Sequence, residues 1–367
     1  MLKNLRRVFA RALCALPVLS LQALVSTSHA QPGAAPLKIA FVYVTPVGQA
    51  GWTYQHDLGR REMERALGDA VKTTVVEDVA EGPDAERVMR DLANQGHRLI
   101  FATSFGYLEG ALRVAAEFPA VRFEHTGGYK TAPNLNTYNV RAYEARWLAG
   151  RLAALNSKNG IAGYVAGFPV PEVVQGINAF ALGMRSVNPR ASVRMVWLNT
   201  WFDPARERDA ALALVNQGAD VLANHTASPA VALAAEDKGV RLIANQSDMR
   251  AFAPHAQLAA VMPSWGGYYT QVARDVIAGR WKPEPVWGGL RSGMVALGAF
   301  DGTLPAQQLT VLDGARQSLV EGRASVFAAP LIDNAGRTRL ASGTLNDARI
   351  ASMDWLVQGV VGSMPTP

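Results

Sequence analysis

Ser104, Asp248 and His255 come in the chain order of one kind of hydrolase triad, and Ser104 sits in Ala102-Thr103-Ser104-Phe105-Gly106. A serine on a sharp turn between strand and helix is how such enzymes expose a nucleophile. Here Ala stands where the first Gly of that elbow belongs, and His255 falls in an Ala/Pro-rich loop. A tight turn built with a small residue therefore competes with a secreted serine hydrolase using Ser104. Metal chemistry finds less support, because His56, His97, His125, His225 and His255 show no close ligand spacing. There is no Gly-x-x-x-x-Gly-Lys-Ser/Thr loop and no Gly-x-Gly-x-x-Gly after the first apolar run, so no nucleotide cofactor is expected.

Aromatic residues make a more persistent pattern. Trp52 and Tyr54 follow the apolar run Lys38 to Val44. Phe105 and Tyr107 follow Arg98 to Ala102, and His125-Thr126-Gly127-Gly128-Tyr129 follows Val121 to Glu124. Farther on come Gly167-Phe168-Pro169, Thr200-Trp201-Phe202-Asp203, His225-Thr226, Asn245-Gln246-Ser247-Asp248 and Ser264-Trp265-Gly266. Small neutral polar groups accompany nearly every ring, and charges are few. If these loops share one cleft, it suits a flat, largely uncharged ligand held by stacking, worth about 1–3 kcal/mol per base. A sugar site would bring more carboxylates and Arg, and an amino-acid site an Arg or a helix N-terminus. Trp52 taken alone could equally plug the gap between strand and helix.

The elements that position these loops alternate. Strands are expected at 38–44, 73–77, 98–102 and 121–124, with helices near 55–67, 83–95 and 107–117. A second round has strands at 161–166, 193–198, 219–224, 241–244 and 258–262, with helices at 172–187, 205–217 and near 227–238. That rhythm predicts an α/β fold with parallel sheets and helices on both faces. Both rounds carry one phrase. Pro83-Asp84-Ala85-Glu86-Arg87 leads to Asn94-Gln95-Gly96 and a strand, and Pro204-Ala205-Arg206-Glu207-Arg208 leads to Asn216-Gln217-Gly218 and a strand. Pro suits the first helical position and Gly the turn past the end. Two lobes of like topology follow. The tail is expected to be helical at 305–321, extended at 325–328, turned at 333–336 and helical again at 346–357.

Lys3, Arg6, Arg7 and Arg11, the apolar run 12–25 and Ser28-His29-Ala30 form a signal-peptide pattern, so residues 1–30 are expected to be removed on export to the periplasm. The sole cysteine, Cys14, lies inside it without the context of a lipid anchor. Four of the 36 Lys and Arg residues leave with that segment and none of the 30 Asp and Glu, so little net charge remains to attract nucleic acid.

With these features in place the chain resembles the basic membrane protein family of periplasmic solute-binding proteins of ABC transporters, which includes purine nucleoside receptors. The resemblance rests most on Gly51-Trp52-Thr53-Tyr54-Gln55, Thr103-Ser104-Phe105-Gly106-Tyr107, Gln175-Gly176-Ile177-Asn178-Ala179-Phe180, Trp201-Phe202-Asp203 and Gln246-Ser247-Asp248. It implies a type I periplasmic-binding-protein fold, two Rossmann-like lobes joined by a hinge, divided as 31–142 with 263–290 and 143–262 with 291–367. It further implies ligand contacts from Trp52, Thr53, Phe105, Trp201, Phe202, Asp248 and Trp265. Ser264-Trp265-Gly266 places an indole where ribose-binding relatives carry a Lys, which favours a free base, adenine, over a nucleoside. The implied partners are that purine and a membrane permease, the receptor acting as a monomer that catalyses no reaction.

Overall fold

The computed structural model describes residues 35–365, so the expected signal segment lies outside them. The first sheet grows from buried β-branched and aromatic runs. Its first half is β1 (Leu37–Val42), α1 (Trp52–Leu67), β2 (Val71–Val76), α2 (Pro83–Asn94) and β3 (Leu99–Ala102). Then come α3 (Leu108–Glu117), β4 (Arg122–Thr126) and β5 (Leu135–Val140). The chain passes into α4 (Ala142–Asn156) and repeats the pattern with β6 (Ile161–Ala166), α5 (Pro171–Arg185), β7 (Ser192–Trp197) and α6 (Pro204–Asn216). The repeat continues through β8 (Val221–His225), α7 (Ala230–Lys238), β9 (Arg241–Asn245) and β10 (Gln257–Pro263).

Five strands of the first round pair in parallel in the order 2-1-3-4-5, and β6 to β10 reproduce that order. The shared phrase falls on equivalent elements. Pro83 opens α2 and Pro204 opens α6, each helix following the second strand of its round. Both closing glycines, Gly96 and Gly218, take positive φ.

After β10 the chain forms α8 (Gly266–Ile277), which packs on α1, and β11 (Val286–Gly288), which pairs with β5 in the first sheet. It then returns to the second sheet through β12 (Val295–Gly298), antiparallel to β10. Three crossings thus join the sheets, after β5, after β10 and after β11.

α9 (Ala306–Val320) follows, then the hairpin of β13 (Leu331–Ile332) and β14 (Thr338–Leu340) across the expected turn. The tail departs from expectation at two places. Residues 326–327 are turn and Ala328 makes only an isolated antiparallel bridge to Thr344, and the final helix is only α10 (Asp347–Ala351), capped by Asn346. From α10 onward the backbone is tied to α5 side chains. Asn178 accepts from Val357 N at 2.9 Å and donates to Trp355 O at 2.7 Å, and Gln175 donates to Ile350 O at 2.8 Å. The chain then adds β15 (Val360–Val361) beside β7.

α4 and α5 pack nearly backbone to backbone. A Cβ on Gly150 would lie 2.1 Å from Phe180 O, and one on Gly183 would lie 2.1 Å from Trp147 O. No other residue type fits either position without moving a helix.

A cleft at the carboxyl ends of the strands

In open α/β sheets ligands bind where strand order reverses, beyond the carboxyl ends. Here the reversals fall between β1 and β3 and between β6 and β8. One cavity, about 610 Å³ with its mouth, lies between those two edges. The first sheet contributes Val44 and Trp52 after β1, Ser104 and Phe105 after β3, and Thr126 and Gly127 at the end of β4. The second contributes Val170, Glu172 and Val173 after β6, Trp201 after β7, His225, Thr226 and Ala227 after β8, and Asn245 and Gln246 after β9.

Trp52 is the first residue of α1 rather than a loop residue, because Gly51 turns the chain with φ 96° and the helix starts three residues earlier than expected. Its Nε1 donates to Thr103 O at 2.7 Å, and its ring meets His56 edge-on at 4.4 Å. Trp201 packs on Phe168 at 4.9 Å. Both indoles are thus fixed from behind and leave a face toward the cavity.

Among the residues expected at the site, Trp52, Phe105 and Trp201 are brought together, and four are placed elsewhere. Thr53 turns inward on α1, where its hydroxyl lies 2.6 Å from that of Thr45. Phe202 projects to solvent, 44 % exposed, because Trp201 takes the inward position of that turn. Asp248 is held by the Arg250 guanidinium and by Gln257 Nε2 at 3.0 Å, and the Arg250 contact keeps its carboxyl below the usual range. Trp265 is 1 % exposed inside the first lobe, stacked on His56 at 4.8 Å and edge-on to Tyr138 at 5.4 Å. It precedes α8, whose packing on α1 carries the indole behind Trp52 and away from the cavity.

Nor does the structure assemble the triad. Ser104 Oγ donates to Glu81 Oε1 at 2.6 Å, the His255 ring faces Glu236, and Asp248 is tied to Arg250. Among the described residues no group of His, Cys, Asp or Glu could hold a metal ion.

Sequence reasoning missed Glu172, whose carboxyl is the one acidic group lining the cavity. It stands in the first turn of α5, where an acidic residue is unremarkable because it complements the helix dipole. Its Oε2 accepts from Asn139 Nδ2 on β5 at 3.1 Å, and its Oε1 is 3.8 Å from His225 Nε2, beyond hydrogen-bond range. Burial raises the Glu172 carboxyl above its ordinary value, against the pull of Asn139 and Arg146. Burial and the neighbouring Arg146 guanidinium hold His225 well below its own. Arg146 is buried beneath this wall, donating to Asn224 O at 3.0 Å and to Asn245 Oδ1. Among the described residues Thr126 Oγ1 and His225 Nδ1 have no hydrogen-bond partner. Their unmet capacity sits on a cavity whose lining holds no Lys or Arg.

Two α/β lobes with parallel sheets around such a cleft define a type I periplasmic-binding-protein fold. Solved structures agree on the fold. An ABC transporter solute-binding protein from Aeropyrum pernix K1 superposes with TM-score 0.68 at 18% identity, over 80% of this chain and 94% of its own. One from Conexibacter woesei gives 0.65 at 21%, over 79% and 98%. Residues 37–325 match the Bmp family model, described as ABC transporter substrate-binding protein PnrA-like, and the chain belongs to that family. A purine-binding protein of Brucella abortus is 45% identical over 90% of this chain and 94% of its own length. A Haloferax volcanii protein whose name assigns it as an ABC transporter glucose-binding protein is 34% identical over 89% and 81%.

Proposed function

We propose that this substrate-binding protein captures a purine nucleobase, adenine, between its two lobes and presents the closed form to the permease of an ABC importer. The observation that carries this reading is the lining itself: Trp52 and Phe105 from one lobe, Trp201 from the other, with neutral hydrogen-bonding groups, the single carboxyl of Glu172 and no Lys or Arg between them. Stacking from two rings at about 1–3 kcal/mol each supplies much of the roughly −8 kcal/mol of micromolar binding. The 45% identical relative named as purine-binding supports the same ligand class. A free base is favoured over a nucleoside on new grounds. Trp265 does not enter the cavity, but Asp248, a ligand contact that the family resemblance implies, is taken up by Arg250 and does not line the cavity to meet ribose hydroxyls.

In this reading residues 1–30 direct export to the periplasm and are removed, and the protein works as a monomer that makes and breaks no bond. The three chain crossings act as the hinge between 31–142 with 263–290 and 143–262 with 291–367.

Titration calorimetry of the mature protein with adenine, guanine, xanthine, adenosine and glucose tests it. The expected result is one adenine per chain at micromolar affinity or tighter, with weaker adenosine and no glucose binding. Tight adenosine binding without adenine binding would overturn the free-base reading. Glucose binding in place of any purine, by a normally folded chain, would overturn the ligand class.

A further inference from the structure

Within the purine-base reading, on which this step rests, the cavity has one carboxyl, Glu172, whose hydrogen-bonding pattern differs between its protonated and ionised forms. Glu172 reaches across from α5 and meets the first lobe through Asn139 Nδ2 at 3.1 Å, leaving Oε1 without a hydrogen-bond partner among the described residues. The neutral carboxyl and the carboxylate present different patterns. The neutral form donates through one oxygen and accepts through the other. Adenine offers the complement on one edge, a ring nitrogen that accepts beside an amino group that donates. The carboxylate accepts through both oxygens, which complements the ring N–H and amino group of guanine.

We propose that Glu172 sets which purine is held, its neutral carboxyl donating to the adenine ring nitrogen through Oε1 while Oε2 accepts from the adjacent amino group and from Asn139. The surroundings favour that state. Burial raises the carboxyl and outweighs the charge and hydrogen bond that face it from other elements. His225 on β8 is kept neutral by burial and by Arg146, Tyr164 on β6 is raised by burial, and Arg146 on α4 directs its two terminal nitrogens to Asn224 O and Asn245 Oδ1. Arg146 and Asn139 both pull Glu172 the other way, so its titration is opposed rather than abolished.

The test is calorimetry with adenine and guanine from pH 5 to pH 8.5 on wild type, Glu172→Gln and Asn139→Leu. Proton linkage predicts wild-type adenine affinity falling by up to about tenfold per pH unit above the Glu172 pKa, while guanine gains relative to adenine. Glu172→Gln mimics the neutral acid, so adenine affinity should stay within about threefold of the low-pH wild-type value and lose its pH dependence. Asn139→Leu removes the bridge between lobes but spares the edge; both purines weaken and the pH profile moves upward, because Asn139 holds the carboxyl down. A wild type that binds adenine with pH-independent affinity, or a Glu172→Gln protein that keeps the wild-type profile, would overturn the inference and leave the purine reading standing. No purine binding by wild type would overturn both.

Discussion

Trp52 owes its orientation to three neighbours of different kinds. Thr103 O takes its indole N–H, His56 meets its ring edge-on, and Trp265 stands edge-on behind it at 5.9 Å. In the proposed purine reading, a stacker held this way loses little freedom when the ligand arrives. Trp52→Ala should therefore weaken adenine binding by about 1–3 kcal/mol, roughly five- to 150-fold. It should also lower the melting temperature, since Trp52 packs against the core as well as facing the cavity. Trp52→Phe keeps a ring face and gives up only the bond to Thr103, so its affinity should stay within about tenfold of wild type, about one hydrogen bond's net value. Calorimetry beside thermal melts separates the two roles; equal affinities for Ala and wild type would make Trp52 a core residue alone. Which aromatic residues follow a strand was legible in the sequence. Which of two neighbours turns inward was not, because Trp201 and Phe202 differ only in how the turn after β7 is set. Trp265 shows the same limit: its burial depends on α8 docking onto α1, a long-range event that no local pattern records.

Among the elements, β1, β3, β6 and β10 were legible because they are mostly buried and their sequences run apolar. β5 and α4 were missed for opposite reasons. Leu135–Val140 is half polar, with Asn136 and the preceding Asn134 spending their amides inside the lobe, while α4 is buried on most sides against α5 and β10 and so shows no clean apolar stripe. α8 was missed too, although it carries much of the first lobe's buried polar chemistry. Tyr268 on α8 donates to Glu124 Oε2 at 2.6 Å, Trp281 Nε1 donates to Oε1 at 2.7 Å, and Asn136 on β5 donates to Oε2 at 3.3 Å. Glu124, on β4, thereby gathers four segments on a fully buried carboxyl. Burial pushes it up to about 7 from 4.5, the three hydrogen bonds resisting. The sign follows. Below about pH 4.5 the group is protonated in both states; as pH rises toward 7 the unfolded chain ionises first, so this contribution to stability is lost across that window and is gone above it. Glu124→Gln removes the ionisation and keeps an acceptor for Trp281, so the fall in urea stability between pH 5 and pH 8 should become shallower. An unchanged slope would show that Glu124 does not titrate in this range.

At the scale of the whole molecule, function needs the closed arrangement to be favoured by the ligand and only weakly favoured without it. The contacts across the cleft are few and small. Gly51 N donates to Ser247 Oγ at 2.9 Å, Gln55 Nε2 approaches the same oxygen at 3.4 Å, and Asn139 reaches Glu172. Gly51 is also where backbone meets backbone, since a Cβ there would sit 2.4 Å from Ala227 O on the opposite lobe. Its φ of 96° adds a second reason for glycine. The two sides of this contact predict different losses. Ser247→Ala removes the hydroxyl that accepts from Gly51 N and Gln55 Nε2 and donates to Gly51 O at 3.3 Å; at about 0.5–1.5 kcal/mol net for the shortest of these, it should weaken adenine at least about two- to tenfold while leaving closure possible. Gly51→Ala places a methyl in the closing path, so binding should fall by more than about tenfold as the competent population shrinks. Small-angle scattering gives the decisive readout. Wild type and Ser247→Ala should contract when adenine is added, whereas Gly51→Ala should keep its ligand-free radius of gyration. Contraction of Gly51→Ala with wild-type affinity would mean that the lobes do not close on this contact.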